Sequence, residues 1–341
     1  MYHPRCTGSH YDMGHKYGSL MKQNSVHLSE VARLSDEKRK FGLSCIAACR
    51  EVYPEAVEEL QGLADGLELA LGDLGGWIFC IYCYEYKRGC TCFAIRDADN
   101  MIFGRNSDFF TEIRDFCESA LYLPDKGYSF IGNSTAMVQM EDGYNEHGLA
   151  IGLTFIPPKI TRPGLNAGIL LRYILEKCRT VKEALKALYS LPISSAQTFT
   201  MIDKTGEMAV VECNCEKIVV LGPKENGRHI VSTNQFVSQE MQRYEILCFP
   251  DYRVRYGVAD KALNTADPCS VELAEKILGG KYGFMCQYER KFGFDTLWST
   301  IYDLRNDRIF RAEGNPSKAR FTEDVRLRRA KRKRGERAYQ E

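Results

Sequence analysis

Gly89-Cys90-Thr91-Cys92-Phe93-Ala94-Ile95, followed by Gly104-Arg105-Asn106-Ser107-Asp108-Phe109, is the most chemically pointed part of the chain. It reads as a β-hairpin: a short apolar strand, a turn at Asp97-Ala98-Asp99-Asn100, and Met101-Ile102-Phe103 returning. A Gly-Cys bond opens the first strand and an Arg-Asn-x-Asp cluster closes the second. Antiparallel pairing brings a thiol, a guanidinium, an amide and a carboxylate to one end of a sheet. Those are groups for nucleophilic attack on a carbonyl.

A thiol attacks well only as a thiolate or with a base beside it. The six histidines are dispersed and none sits in a papain-like or caspase-like context, which leaves a Cys-His dyad unsupported. The alternative base is a free α-amine, whose pKa of about 8 lies far closer to neutrality than a lysine's. A cut between Gly89 and Cys90 would give Cys90 both nucleophile and base, and glycine before the cut leaves the backbone room for a strained turn.

The rest of the chain frames this hairpin. Residues 9 to 86 read as mainly helical, with Gly14 and Gly18 marking close helix packing and a helix starting at Pro54. An aromatic run, Trp77 to Tyr86, leads to Gly89. From 90 onward short strands alternate with turn residues, including Thr91–Ile95, Met101–Arg105, Ala120–Leu123, Tyr128–Ile131, Thr135–Gln139 and Leu149–Phe155. Asp142–Gly148 reads as the turn-rich connection between the last two. Helices follow at Ala167–Cys178 and, from a capping box at Thr180, at Val181–Tyr189. Strands resume at Thr198–Ile202, Met208–Cys213, Ile218–Leu221 and Ile230–Thr233. Residues 238 to 281 read as helical, broken at Pro250 and Pro268, and strands near Thr296–Leu304 and Ile309–Ala312 end the fold. The pattern implies sheet layers covered by helices, with no linker at 89/90 to mark independent domains.

Composition excludes several classes. With 341 residues, 44% hydrophobic and 27% charged, the chain suits a globular protein with a substantial core. No apolar run reaches 18 residues and the start has no apolar signal region, so the expected location is cytoplasmic. Fourteen cysteines in that setting read as reduced thiols. Cys80-x-x-Cys83 and Cys213-x-Cys215 invite zinc, but burial of small thiols in an apolar run is the better reading, and no His-x3-His spacing accompanies them. The net charge of +1 conceals a basic tail: residues 318–341 carry ten Lys/Arg against four Asp/Glu, leaving 36 basic and 41 acidic residues elsewhere. Arg328–Arg334 reads as a solvated helix end or disordered tail. A nucleic-acid role is not favoured, since no binding fold or aromatic interleaving stands beside it.

Gly89-Cys90-Thr91-x-Phe93-Ala94 with Gly104-Arg105-Asn106-x-Asp108-Phe109 resembles the N-terminal-nucleophile hydrolases. Within them it is most similar to the acyl-CoA:isopenicillin N acyltransferase group, relatives of choloylglycine hydrolases and acid ceramidase. The resemblance extends through Gly8-x-x-Tyr11-x-Met13-Gly14-x-x-Tyr17-Gly18, Glu59-Leu60-x-Gly62-Leu63-Ala64-Asp65-Gly66, Asp142–Ala150, Glu212 and Thr233-Asn234-Gln235-Phe236. It implies an α+β fold, a four-layer αββα sandwich of two stacked, mainly antiparallel sheets covered by helices. It also implies a precursor cut before Cys90, giving a helical segment 1–89, a core 90–317 and the basic tail 318–341.

By position in the motifs, Cys90 would be the nucleophile, with Arg105 and Asp108 (and Asn106 between them) supporting the new chain end. Asn234 would direct its amide at the oxyanion, worth about 3–4 kcal/mol in the transition state. Thr154, Arg255 and Asn145 are accessory candidates. Cys92 is a rival nucleophile on the same strand face, and Ser107 stands where relatives often carry an apolar residue. The activity implied is that of a cysteine amidohydrolase or acyltransferase acting on a small acylated amide or an acyl-CoA, with no metal or organic cofactor. Its partners would be the 1–89 fragment and that substrate; a homo-oligomer is compatible with this. The rival is an unprocessed binding or scaffold protein that uses the basic tail.

Overall fold

The computed structural model describes residues 1–26, 28, 34–84, 89–225, 227–265 and 268–338, apart from the side chains of 290 and 333–338. The expectations for 85–86, at the end of the aromatic run, and for 339–341 of the tail fall outside these residues. Strand β1 (Arg5–Gly8) and helices α1 (His10–Gln23), α2 (Asp36–Val52), α3 (Pro54–Leu67) and α4 (Leu71–Cys80) precede the hairpin. The hairpin itself is β2 (Gly89–Arg96) and β3 (Met101–Phe110). Asp97 Oδ1 accepts the backbone N–H of Asp99 at 2.9 Å and of Asn100 at 2.7 Å, which makes the tight turn between them.

Then come β4 (Glu118–Pro124), β5 (Phe130–Ser134), β6 (Asp142–Asn145), β7 (Ala150–Ile156), α5 (Ala167–Lys177) and α6 (Val181–Ser190). They are followed by β8 (Ala196–Ile202), β9 (Met208–Cys213), β10 (Ile218–Leu221), β11 (His229–Ser232), α7 (Pro250–Thr265) and α8 (Val271–Leu278). The chain closes with β12 (Phe294–Asp303), β13 (Arg308–Glu313), β14 (Thr322–Glu323) and α9 (Arg326–Ala338).

The strands form two sheets, ordered β1-β4-β5-β6-β7-β8-β9-β10 and β11-β2-β3-β12-β13-β14. Pairing is antiparallel except where β1 joins β4 in parallel. Alternation along β2 shows how the layers stack. Cys92 and Ala94 point into the core between the sheets, beside Leu121, Ile131 and Tyr302, while Phe93 and Ile95 meet α7 and α8 through Ala259, Leu263 and Ile277. On the outer face of the larger sheet, Leu60 and Leu63 of α3 and Leu170 and Ile174 of α5 share one core with Phe130, Ile151 and Phe199. The result is the αββα order that the resemblance implied.

Two expectations are corrected. Thr135–Gln139 is not a strand but the connection after β5, and the strand is Asp142–Asn145, in the stretch read as a turn. The turn lies just beyond it, at Gly148 with φ 85°, where glycine is at ease. Asp142 and Asn145 are held extended by long-range side-chain bonds that no local propensity records. The basic tail is also less solvated than expected: Leu327 and Ala330 of α9 are buried between the sheets, and Arg326, Arg328 and Lys331 pair with Asp324, Glu323 and Asp307.

Residues ahead of Cys90 are built into the sandwich. A Cβ on Gly14 would run into the Glu59 carbonyl, and one on Gly62 into that of Tyr11, so α1 and α3 pack backbone to backbone. Across from them, the fully buried Arg172 of α5 donates to Glu59 Oε2 at 2.6 Å and Glu176 Oε2 at 3.1 Å and lies 4.0 Å from the Tyr122 ring centroid. His10 and Tyr53 bond Glu176 at 2.7 and 2.8 Å. A charge removed from water needs such partners.

Candidate active site

Cys90 is the second residue of strand β2, opposite Ser107, while Cys92 faces Arg105. Side chains alternate, so residues 90, 92, 105 and 107 share the face that looks into the sandwich. Cys90 is only 2% exposed. Arg105 Nη2 lies 3.2 Å from its Sγ. Burial pushes the Cys90 thiol pKa up, with the Glu141 and Asp108 carboxylates adding to it, while Arg105 pulls it back down.

Arg105 is itself fixed on every side. Its Nη1 donates to Asp142 Oδ2 at 2.9 Å, its Nη2 also to Glu141 Oε2 at 3.3 Å, and its Nε to the Leu153 carbonyl at 3.1 Å. Asp142 Oδ2 further accepts Trp298 Nε1 at 3.0 Å, and its Oδ1 accepts Asn133 Nδ2 and Tyr302 OH, both at 2.5 Å. Glu141 is held by Thr135 Oγ1 at 2.7 Å and Ser107 Oγ at 3.1 Å. Ser107 therefore serves to bind the carboxylate beside the thiol.

The backbone of Cys90 is gripped from the other side. Its N–H donates to Asn234 Oδ1 at 2.6 Å, and its carbonyl accepts Arg255 Nη1 at 2.5 Å. Arg255 also donates to Thr91 Oγ1 at 2.7 Å and Asn234 Oδ1 at 3.1 Å. Asn234 Nδ2 donates to the Phe155 carbonyl at 2.9 Å, so in the intact chain its amide nitrogen is engaged there. Glu212 orders the loop after Asn234, accepting Val237 N–H at 2.5 Å and Ser238 N–H at 3.1 Å.

Asp108 lies on the opposite strand face, beside Gly89. Its Oδ1 accepts Thr296 Oγ1 at 2.6 Å and its Oδ2 accepts Tyr288 OH at 2.9 Å, with Arg255 Nη1 4.0 Å away. Burial pushes the Asp108 pKa up to about 6 in spite of these favourable neighbours.

The structure thus brings Gly89, Cys90, Arg105, Asp108, Asn234 and Arg255 together. Thr154 stands behind Asn234, bonded to Thr198 Oγ1 and the Thr233 carbonyl, both at 2.7 Å. Asn145 lies apart from the group: its Nδ2 donates to the Leu175 and Cys178 carbonyls at 3.0 and 2.7 Å, tying the β6–β7 turn to α5. Asn106 also turns away, toward the Leu278 carbonyl and Ser299 Oγ. Cys92 is fully buried, its Sγ 3.8 Å from the Leu153 carbonyl. Glu141, Asp142 in its role as anchor, and Tyr288 escaped the sequence reading. Only the acidic pair before Gly143 signalled the first two.

The family model for acyl-coenzyme A:6-aminopenicillanic acid acyl-transferase matches residues 95–318, beginning in β2 just past Cys90. Solved structures similar to the chain include penicillin V acylase from Agrobacterium tumefaciens, at 18% identity, covering 66% of this chain and 82% of that one, TM-score 0.49. Another is the Caenorhabditis elegans N-acylethanolamine-hydrolyzing acid amidase ortholog, at 16% identity, 63% and 93% coverage, TM-score 0.48. A mutant of the conjugated bile acid hydrolase from Clostridium perfringens matches at 14% identity, 66% and 89% coverage, TM-score 0.46. The matched span takes in well over half of the chain, with Arg105, Asp108, Asn234 and Arg255 inside it, and the chain belongs to the acyl-coenzyme A:6-aminopenicillanic acid acyl-transferase family.

Proposed function

We propose that the chain cuts itself between Gly89 and Cys90 and then works as a cysteine amidohydrolase or acyltransferase. The observation that carries this is the double hold on Cys90: Arg105 at 3.2 Å from the sulfur and Asn234 at 2.6 Å from the backbone nitrogen of the same residue. In the first reaction Sγ adds to the Gly89 carbonyl carbon and the C–N bond breaks, with the Cys90 nitrogen taking the thiol proton. Water then hydrolyses the thioester, releasing the Gly89 carboxylate and leaving Cys90 with a free thiol and a free amine.

In each later cycle that amine, with a pKa of about 8, accepts the thiol proton. The thiolate attacks the carbonyl of a non-peptide amide or an acyl thioester, and the leaving amine or thiol departs with a proton. The acyl group on Cys90 passes to water or to an acceptor amine. Arg105 favours the thiolate, and Asp108 receives the new ammonium. Asn234 Nδ2 gives one hydrogen to the Phe155 carbonyl and keeps its second to donate to the oxyanion. The 1–89 fragment stays as a subunit, a reading supported by β1 in the sheet and Glu59 against Arg172.

Mass spectrometry under denaturing conditions tests this. Two species that divide at 89/90, and a Cys90→Ala chain that remains whole and inactive, are expected. An intact wild-type chain that also fails to label at Cys90 with iodoacetamide would sink the proposal. So would unchanged cleavage in Cys90→Ala. Cys92→Ala is expected to cleave normally.

A further inference from the structure

The carbonyl the chain attacks in itself and the carbonyl of a later acyl donor must meet the same sulfur. Residue 89 therefore stands where a donor's acyl group will stand, and the atoms around it describe the acyl side of the site. This inference rests on the self-cleavage reading above.

Gly89 is walled in. In the direction a side chain would take, the nearest atoms are Asp108 Cβ at 3.3 Å, Phe294 Cζ at 3.4 Å and Tyr288 Oη at 3.4 Å. One carbon there would touch three neighbours at once, and a larger branch has no room. The wall is also stiff. Tyr288 is tied to Asp108 Oδ2 at 2.9 Å and meets Phe294 edge-on with ring centroids 4.9 Å apart. Phe294 meets Phe110 the same way at 5.8 Å, and Phe284 meets Tyr288 at 5.3 Å.

Those four rings are only half-buried, although the bond they flank is buried. They therefore form an aromatic path from solvent to the reacting carbonyl. Half-buried rings beside a buried carbonyl offer contact area to an apolar chain.

We propose that Phe110, Tyr288 and Phe294 form the acyl-donor subsite, and that it accepts apolar acyl groups whose α-carbon is an unbranched CH2. Branching at that carbon places a substituent against Tyr288 and Phe294 and is selected against.

The test compares phenylacetyl and hexanoyl p-nitroanilides with their α-methyl counterparts on the cleaved protein. A shared leaving group assigns any difference to the α-methyl. The unbranched donors should show kcat/KM at least roughly tenfold higher, the usual scale for one misfitting methyl in a closed pocket. Phe294→Ala should narrow that ratio several-fold, and Phe294→Leu, which keeps most of the volume, carries the test if the alanine variant is unstable. Equal turnover of branched and unbranched donors overturns the proposal, as does an unchanged ratio in both variants.

The chain's own cleavage probes the same wall. Gly89→Val should stay uncut, and Phe294→Ala in that background should restore part of the cleavage; prompt cleavage of Gly89→Val alone overturns the subsite. A cleaved, active enzyme indifferent to branching removes only this inference. A wild-type chain that is uncut and inert toward every donor removes the Cys90 reading and the subsite together.

Discussion

Asn234 Oδ1 lies 2.6 Å from the backbone nitrogen of Cys90, and the same oxygen accepts Arg255 Nη2 at 3.1 Å. One amide oxygen thus joins the nitrogen of the proposed scissile bond to the guanidinium that holds the Cys90 carbonyl. Asn234→Ala removes that acceptor without touching the thiol. Self-cleavage should slow by about 10²–10³-fold, the scale seen when one preorganised polar contact is lost. A time course of fragment appearance checks this, and a wild-type rate would place Asn234 outside the reaction.

Asp142 is the anchor of Arg105. It collects Arg105, Trp298, Asn133, Thr300 and Tyr302 on two buried oxygens. Asp142→Ala strands a buried guanidinium and several donors, so denaturant unfolding should show a loss of about 3–5 kcal/mol. A loss well below 1 kcal/mol would mean that water replaces the carboxylate at little cost.

Glu118 gives the fold a pH dependence of known sign. Tyr17 OH donates to it at 2.5 Å, yet burial pushes its pKa up to about 7. The native state keeps a proton that the unfolded chain releases near the ordinary value of 4.5, so stability falls as pH rises between the two. Ionising Glu118 in place costs roughly 3 kcal/mol. Glu118→Gln keeps an acceptor for Tyr17 and carries no charge. The variant should therefore gain on the wild type as pH goes from 5 to 8, read as a widening Tm difference; a constant difference would count against the buried proton.

Gly62 allows α3 to press against α1. A Cβ there would meet the Tyr11 carbonyl, and backbone cannot step aside as a flexible side chain can. Gly62→Ala should cost about 1–3 kcal/mol or more through overpacking, despite alanine's better helix propensity. Thermal unfolding decides it, since a stabilised variant would show that the helices separate freely. Because Glu59 on α3 bonds Arg172, the same change should also loosen the 1–89 fragment in cleaved protein.

Much of the fold was legible because its signals are local. The turn at Asp97–Asn100, Pro54 at a helix start and the Thr180 cap each depend on a few neighbouring residues. Strand order near Asp142 was not legible: Thr135–Gln139 has the side chains of a strand, but Asp142 and Asn145 are drawn into one by partners on β3, β12 and α5. The site divides in the same way. Cys90, Arg105 and Asp108 lie on one hairpin, and Asn234 was found through its family pattern. Glu141 and Tyr288 reach the site from other elements, with no spacing rule to announce them.

The sequence by itself determined the hairpin and the Gly-Cys bond at its mouth, because strand alternation and turn chemistry act over short stretches; the αββα order came from the family resemblance of its motifs. Only the tertiary structure decided which face each residue of that hairpin serves. Pairing Cys90 with Ser107 turns the thiol and Arg105 inward toward Glu141 and Asp142, and leaves Gly89 and Asp108 facing Tyr288 and Phe294. A period of two puts neighbours on opposite faces, and what waits on each face is set by chain segments more than thirty residues away.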